Sequence, residues 1–304
     1  MVWEKRGQIY VPDGSQWWAR SLAHLPTVYQ LDSERLRVYF AGLDEQQYGR
    51  IGYVDLDAHD PGRVLEVGQE PVLDLGEPGM FDDSGVNPAT VLDVNGDRYF
   101  YYVGWQRSTR VPYLLFAGLA ISTNGGPFTR YARTPILDRT DREPFIRSAM
   151  TVVREGQGFR AWYVSATSWT TIDGRLLPSY VIRMATSADG IHWQAQEQEQ
   201  PVISLLDDEF GFGRPWVIQT DGLYKMWYSI RSRSRPYRIG YAESVDGISW
   251  VRKDDAVGIT ASRDGWDSEM ICHVSVLDID GSLTMFYNGN GHGASGFGYA
   301  VWKY

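Results

Sequence analysis

Arginine side chains are the groups in this sequence whose type and position point most directly to a chemistry. The chain of 304 residues has a formal net charge of −9, yet arginines cluster in loops that we predict to lie on one face of the molecule: Arg20, Arg107, Arg110, Arg147, Arg214, Arg231, Arg233 and Arg235. Guanidinium groups recognise carboxylates and phosphates through paired hydrogen bonds. We therefore expect an anionic ligand, bound by Arg107, Arg147, Arg214 and Arg231. The alternative is that several of these arginines neutralise acidic loops.

Other polar and aromatic side chains fall in the same predicted loops, and we expect them to bind the substrate as well. They are His24, Asn87, Trp105, Glu143, Trp169, His273, Asn290 and His292. The tryptophans would offer flat faces for stacking against a sugar ring. The histidines would hydrogen-bond sugar hydroxyls, and as an alternative they could bind a metal ion or transfer protons. Because their spacing matches no ligand signature, we predict no metal site and no cofactor.

A strand pattern that recurs five times must position these groups. Its central aromatic residues, Phe40, Tyr102, Tyr163, Tyr228 and Tyr287, are 62, 61, 65 and 59 residues apart. Repeats of this length are typical of stacked or radially arranged units. Alternation and turn residues divide each repeat into four strands. Residues 187–193 and 244–250 are identical at five of seven positions around an Asp-Gly turn, and we predict that this motif packs the edge of a unit and does no chemistry.

The two ends of the chain complement each other. The last repeat stops at residues 297–302, which match the third strand of the other repeats, so its fourth strand is missing. Residues 3–12 look like that strand, with Trp3 in the place of Trp193 and Trp250. We therefore predict an all-β fold, a five-bladed β-propeller with four antiparallel strands per blade. It would form one domain over residues 1–304, and its ring would be closed by the N-terminal strand, which completes the last blade.

These features resemble the five-bladed propeller glycosidases, the superfamily of arabinanases and β-xylosidases, invertases and levansucrases, and mannoside phosphorylases. The resemblance covers essentially the whole chain and rests on the repeat length, the Asp-Gly turn followed by Trp, and segments such as residues 225–228. It implies carboxyl groups in a central funnel, one protonated and one ionised, on opposite sides of the anomeric carbon. On this basis Glu209 is the expected general acid, and Asp83 or Glu269 the base or nucleophile.

The sequence departs from that superfamily where the first strand of a blade begins. Those families often have Asp-Pro at this point, whereas this chain has His24, Asn87-Pro88, Arg214-Pro215 and Cys272-His273. The usual first carboxylate is therefore missing, and the candidate acids lie a few positions earlier in the chain. The alternative is that these acidic loops cap turns or pair with the nearby arginines.

The sequence thus predicts a glycoside hydrolase-like enzyme that acts on a glycosidic or sugar-phosphate bond by paired-carboxylate catalysis. Its partner would be a small carbohydrate or an activated or acidic sugar. Two alternatives stay open. A noncatalytic carbohydrate-binding propeller would keep the funnel without the catalytic carboxylates. A sialidase-like enzyme would account for the arginines and for the turn at residues 187–193.

Composition and charge limit the compartment and the partners. The N-terminus lacks an apolar signal segment, and no stretch of about 18 residues is apolar throughout. We therefore expect a cytoplasmic protein without a membrane partner. The single cysteine, Cys272, excludes an intramolecular disulfide and fits a reducing compartment. The negative net charge argues against a nucleic-acid partner, and the oligomeric state is left open.

Overall fold

The computed structural model describes residues 2–196 and 200–303, and almost all of its regular structure is β-strand. The predicted all-β class is confirmed. Two single-turn helices accompany twenty strands in these ranges, a 3-10 helix over Asp254–Ala256 and α1 over Asn290–Gly293. Neither helix has the length and apolar character that crossing a bilayer would need.

Antiparallel pairing groups the strands into five units of four. Units 1 to 4 are linked by single parallel residue pairs into one sixteen-stranded sheet, and unit 5 is a separate four-stranded sheet. Unit 1 contains β2 (Ser21–Gln30), β3 (Arg35–Leu43), β4 (Gly49–Asp57) and β5 (Val64–Val67). Unit 2 contains β6 (Gly85–Val94), β7 (Asp97–Arg107), β8 (Tyr113–Ser122) and β9 (Thr129–Arg130). Unit 3 contains β10 (Arg147–Glu155), β11 (Gly158–Ile172), β12 (Arg175–Ser187) and β13 (Gln194–Ala195). Unit 4 contains β14 (Glu209–Thr220), β15 (Leu223–Ser232), β16 (Arg238–Ser244) and β17 (Val251–Arg252). Unit 5 contains β18 (Cys272–Ile279), β19 (Ser282–Asn288), β20 (Phe297–Lys303) and β1 (Val2–Tyr10).

Unit 5 is assembled from both ends of the chain. Strand β1 pairs antiparallel with β20, from Val2 opposite Lys303 to Tyr10 opposite Phe297. The Trp3 side chain is buried and meets the rings of Trp302 and Trp227 edge-on, with centroids 4.9 and 6.0 Å apart. The N-terminal strand therefore occupies the outer position that the sequence left vacant in the fifth repeat.

Apolar residues form the core between neighbouring units. One cluster joins units 1 and 2, and others join units 2 and 3, units 3 and 4, units 4 and 5, and units 5 and 1. The five recurring aromatic residues of the second strands are fully buried within this arrangement. Because every unit shares a core with both of its neighbours, the first strands are held in a fixed order.

The first strands also contact one another directly. Strand β2 contacts β6, and the series continues through β10, β14 and β18, which in turn contacts β2. One equivalent position, in the middle part of each first strand, provides the polar links: Thr27, Thr90, Thr151, Trp216 and Ser275. We call these residues the first-strand belt. The Thr90 and Thr151 hydroxyls donate to carbonyl oxygens of β10 and β14, and the Trp216 indole donates to a carbonyl oxygen of β18. The Ser275 hydroxyl accepts from a backbone N–H of β2.

The two related turns at residues 187–193 and 244–250 have the same hydrogen bonds. In each, the serine hydroxyl accepts from the glycine N–H, and the aspartate accepts from the next two N–H groups. The glycines, Gly190 and Gly247, have φ of 76° and 70°, which favours glycine over other residues. Their carbonyl oxygens accept from the Tyr101 hydroxyl and the Trp162 indole of the preceding unit. The turns thus contribute hydrogen bonds between units.

Candidate functional site

Each first strand contains a bulge directly before its residue of the first-strand belt. In four units the bulge follows a residue that pairs with the residue after the core aromatic of the second strand, namely His24, Ser148, Gly213 and Cys272. In unit 2 it follows Pro88, which pairs with the core Tyr102 itself. A bulge bends the strand and redirects side chains. The next residue has a positive φ at Leu25 (57°), Ala149 (50°) and His273 (53°). Such a conformation costs roughly 1–3 kcal/mol per residue and is concentrated at functional sites.

A cavity of about 510 Å³ adjoins these bulges. This volume lies within the range of about 300–1,000 Å³ that is usual for small-molecule sites. Its polar and aromatic lining consists of His24, Asn87, Trp105, Tyr113, Ser148, Arg175, Tyr180, Phe210, Arg214, Arg231, Tyr237, His273 and His292. We call this cavity the central pocket. Over residues 2–196 and 200–303, its lining includes three arginines but neither aspartate nor glutamate.

Arg231 is one of two buried arginines that line the central pocket, the other being Arg214. The Arg231 side chain lies among aromatic rings, with the guanidinium carbon 4.5 Å from the Phe210 centroid and 4.9 Å from that of Tyr180. The residue is only 4% exposed, and one Nη atom donates to the Pro178 carbonyl oxygen. Its Nε is buried without a hydrogen-bond partner, and it forms no ion pair within the described ranges. A buried guanidinium in this state has an N–H group free to donate to a further acceptor.

Arg214 holds first strands together, although it also lines the central pocket. Its two Nη atoms donate to the carbonyl oxygens of Leu25, Pro26 and Val274 and to the Thr27 hydroxyl, at 2.8–3.2 Å. It therefore ties β14 to β2 and β18. Burial lowers the pKa of its guanidinium to about 9. Since both Nη atoms are engaged by the protein, Arg214 has less capacity for a ligand than Arg231.

Three histidines converge on one side of the central pocket. The rings of His24 and His273 are stacked with centroids 4.6 Å apart, and His292 lies 6.0 Å from His273. Burial lowers the pKa of His24 to about 3 and also lowers the pKa values of His273 and His292. The rings are therefore neutral at pH 7 and can both donate and accept hydrogen bonds.

Cys272 lies next to two of these histidines, His273 and His292. Its Sγ is 3.3 Å from His273 Nδ1 and 3.9 Å from His292 Nδ1, and the thiol is fully buried. Burial raises the pKa of this thiol. Cys272, His273 and His292 are the side chains of this region that could hold a metal ion.

The carboxylates expected in the funnel lie outside the central pocket. Glu209 is buried in ion pairs with Arg252 and Arg238, whose Nη atoms lie 2.6 and 3.1 Å from its Oε1. Asp83 accepts from the Gly79 N–H and the Ser84 hydroxyl, and Glu269 is exposed. None of the three expected catalytic residues lines the central pocket. Their assignment as acid and base therefore stays a prediction.

In three units, the loop that leads into the first strand carries a carboxylate that lies against the core tyrosine of the same unit. Tyr102 donates to Asp82, Tyr163 to Glu143 and Tyr287 to Asp267, each at 2.9 Å. Burial raises the pKa of each of these tyrosines, so that the phenols stay protonated as donors. The acidic loops thus bind their own units. Asp82 and Glu143 also pair with Arg130 and Arg147, which agrees with the alternative that acidic loops pair with arginines.

The predicted substrate-binding residues divide between the pocket and other places. His24, Asn87, Trp105, Arg214, Arg231, His273 and His292 line the central pocket. Arg107 lines an adjoining cavity that shares four of its lining residues. Glu143 and Arg147 form a buried ion pair with 3.1 Å between Oε2 and Nε. Trp169 packs against Tyr113, and Asn290 accepts from the Glu269 N–H. These last four residues do not line either cavity.

Six polar or aromatic residues of the pocket lining were not predicted from the sequence, namely Tyr113, Ser148, Arg175, Tyr180, Phe210 and Tyr237. A repeat signal exists for two of them. In units 3 and 4 the core tyrosine of the second strand pairs with Arg183 and Gly240, respectively, on the third strand. Tyr180 and Tyr237 lie three residues before these two partners. Burial raises the pKa of Tyr237 to about 12. Aligning the third strands, as well as the first, would have placed both tyrosines in the pocket.

Sequence comparison finds relatives in one organism. The Uncharacterized protein Rv1502 of Mycobacterium tuberculosis is 38% identical over 301 residues, which cover 99% of both proteins. The Uncharacterized protein MT1551 of a second strain matches with the same identity and coverage. No family model matches the chain.

Structure comparison finds glycoside hydrolases among proteins of the same fold. A glycosyl hydrolase from Bacteroides ovatus matches with a TM-score of 0.77 at 15% identity, over 99% of this protein and 93% of the other. A putative glycosidase from Bacteroides thetaiotaomicron matches with a TM-score of 0.76 at 16% identity, over 99% and 96%. A structure from the GH130 family of mannoside phosphorylases, which contains hydrolases of β-1,2 mannosidic linkages, matches with a TM-score of 0.74 at 14% identity, over 99% and 93%. At identities this low, the TM-scores establish a shared fold alone.

Proposed function

The chain belongs to the family of the Mycobacterium tuberculosis protein Rv1502, and we propose that it binds a sugar carrying a carboxylate or phosphate group in the central pocket. The observation that supports this function is Arg231, a buried guanidinium without a carboxylate partner. Burying an unpaired charge costs several kcal/mol. An anionic ligand would offset this cost by accepting hydrogen bonds from the free N–H groups of Arg231.

The remaining lining suits the neutral part of a sugar. Trp105, Tyr180 and Phe210 offer aromatic faces to the apolar side of a ring. Asn87 and the neutral histidine His24 can donate to and accept from hydroxyl groups. Three arginines among aromatic and neutral polar groups suit a site that orients a small ligand by a few polar contacts.

We also propose that the five units are the blades of one closed β-propeller domain over residues 1–304. The contact of β18 with β2 and the pairing of β1 with β20 support this arrangement. The central pocket would then lie where the first strands of the blades converge.

A binding experiment tests the ligand class. The purified protein is titrated calorimetrically with glucuronate, a hexose phosphate and the matching neutral hexose. We expect binding of one or both acidic sugars and weak or absent binding of the neutral one. Because hydrogen bonds to a charged group contribute about 1.5–3 kcal/mol, Arg231→Met should weaken acidic-sugar binding about 10- to 150-fold.

Arg154→Met is the matched control, because Arg154 is exposed on β10. This variant should bind as the parent does. Far-UV circular dichroism and urea unfolding establish that both variants are folded. Equal affinity for the acidic and the neutral hexose, or an unchanged affinity in a folded Arg231→Met variant, would contradict the proposal.

Cleavage of a glycosidic or sugar-phosphate bond is the second candidate function. It is favoured by the glycoside hydrolases that share the fold. The pocket lining gives no support to a mechanism with two carboxylates, so the acid and base would have to be other groups. Mass spectrometry of acidic oligosaccharides and sugar phosphates incubated with the protein distinguishes the two functions, since a binding protein leaves them intact.

A further inference from the structure

We propose that Cys272, His273 and His292 form a binding site for a thiophilic divalent cation, with Zn²⁺ as the best match, and that one coordination position of the ion faces the central pocket. This inference goes beyond sugar binding and does not depend on it. It rests on the placement of three donor atoms, on the backbone that holds them and on the kind of donors present.

The distances between the donor atoms fit one ion. Cys272 Sγ lies 3.3 Å from His273 Nδ1 and 3.9 Å from His292 Nδ1, and the three donor atoms lie within 4.8 Å of one another. Around a tetrahedral zinc ion, ligand atoms are about 3.4–3.6 Å apart, given bond lengths of about 2.0–2.3 Å. Small side-chain rotations would therefore bring all three atoms to bonding distance.

The backbone at two of these ligands is held in an uncommon conformation. His273 and His292 have φ of 53° and 57°, and Gly291 beside His292 has φ of 63°. The His273 N–H donates to the Ser229 hydroxyl of β15 at 2.9 Å, which fixes the bulge. Left-handed conformations at non-glycine residues cost roughly 1–3 kcal/mol each and persist where a function needs them. Here they direct two imidazoles toward one thiol.

The donor set selects the class of metal. One thiol and two imidazoles are soft to intermediate ligands, which zinc and related transition metals prefer. Calcium and magnesium prefer oxygen ligands, and within the described ranges the cluster contains no carboxylate. The Cys272 thiol must lose its proton to bind the ion, and the ion itself provides the charge that stabilises the thiolate.

The position of the cluster leaves one side of the ion open. His273 and His292 line the central pocket, whereas Cys272 is fully buried behind them. An ion held by all three therefore faces the pocket with its fourth position. Three protein ligands with one open position are the arrangement of catalytic zinc sites, in which the ion binds water or a substrate oxygen.

Cobalt(II) is the probe for this site, because thiolate-bound cobalt has visible and charge-transfer absorption. The full-length protein is freed of metal with a chelator and titrated with CoCl2 alone. We expect one cobalt per chain and a thiolate-to-cobalt band, which zinc abolishes by displacement. Cys272→Ser should lose the band, and His292→Ala should weaken binding by more than about 100-fold. Zinc should also raise the melting temperature of the parent.

His192→Ala is the control, because His192 is an exposed histidine in the turn at residues 187–193. This variant should retain the band and the affinity of the parent. Binding of no cobalt by the folded parent protein, or an unchanged band in Cys272→Ser, would overturn the proposal. His292→Ala, in a partly exposed turn, provides a second folded variant if Cys272→Ser does not fold. Sugar binding is measured separately and does not enter these outcomes.

Discussion

Replacing Thr90 with valine tests how the first-strand belt holds neighbouring units together. Thr90 is buried, its hydroxyl donates to the Met150 carbonyl oxygen at 2.8 Å, and it accepts from the Val152 N–H at 3.3 Å. Valine has nearly the same shape but can make neither hydrogen bond. The substitution therefore leaves two groups of β10 without this partner, with little change in packing.

The expected loss of stability follows from these two groups. A buried polar group that loses its partner costs about 1–3 kcal/mol. The methyl group that replaces the hydroxyl returns about 1 kcal/mol through apolar burial. We expect Thr90→Val to lower the free energy of unfolding by about 2 kcal/mol. With a urea m-value of about 3 kcal/mol/M, the midpoint would fall by about 0.7 M.

Urea unfolding followed by tryptophan fluorescence measures this change. Thr171→Val is the control, because Thr171 is an exposed threonine on β11, and it should alter stability by less than about 0.5 kcal/mol. If Thr90→Val unfolds at the same midpoint as Thr171→Val, the belt does not stabilise the contact between units 2 and 3. A lower m-value in Thr90→Val would instead indicate that the units no longer unfold together.

Two further substitutions test the placement of carboxylates. Glu209→Gln should lower the free energy of unfolding by about 3 kcal/mol, because it leaves Arg252 and Arg238 without their buried partner. The affinity for acidic sugars, measured by calorimetry, should change by less than about twofold. A large loss of affinity with intact stability would place Glu209 in the site. Asp246 has a pKa lowered to about 2, chiefly by hydrogen bonds from the Ser249 and Ile248 N–H groups. Its contribution to stability is therefore present above about pH 4 and is lost as the pH falls toward 2. Asp246→Asn should make urea unfolding less dependent on pH between 4 and 2, and identical pH profiles for the two proteins would refute this.

The strand pattern could be predicted from the sequence because interactions between residues close in the chain determine it. Buried aromatics at the second strands and Asp-Gly turns at their ends depend on alternation and on backbone conformation within a few residues. The pairing of β1 with β20 joins distant residues and was predicted from the repeat pattern instead, because the fifth repeat lacked a fourth strand; Trp3 accordingly lies beside Trp302. Fold class and the strand pairing within each repeat therefore followed from neighbours in the sequence.

The site could be predicted only in part because it depends on partners that are distant in the chain. Glu209 was expected in the funnel, but Arg252, 43 residues later, pairs with it. No local pattern indicates which of several arginines finds which carboxylate. Arg231 was expected to bind the substrate and does line the central pocket, whereas its aromatic surroundings, Phe210 and Tyr180, became evident only from the packing of units 3 and 4.

The pairing of β1 with β20 has a consequence for biosynthesis. Strand β1 leaves the ribosome before its partner β20, in which Lys303 pairs with Val2. At about 5–20 residues per second, translation separates the two strands by about 15–60 s. During this interval β1 is an unpaired edge, which is a template for pairing with other chains. Unit 5 can assemble only after β20 has been synthesised. A nascent chain stalled before β20 would therefore expose the edges of β1 and β19 at once and would depend on chaperones to stay unaggregated.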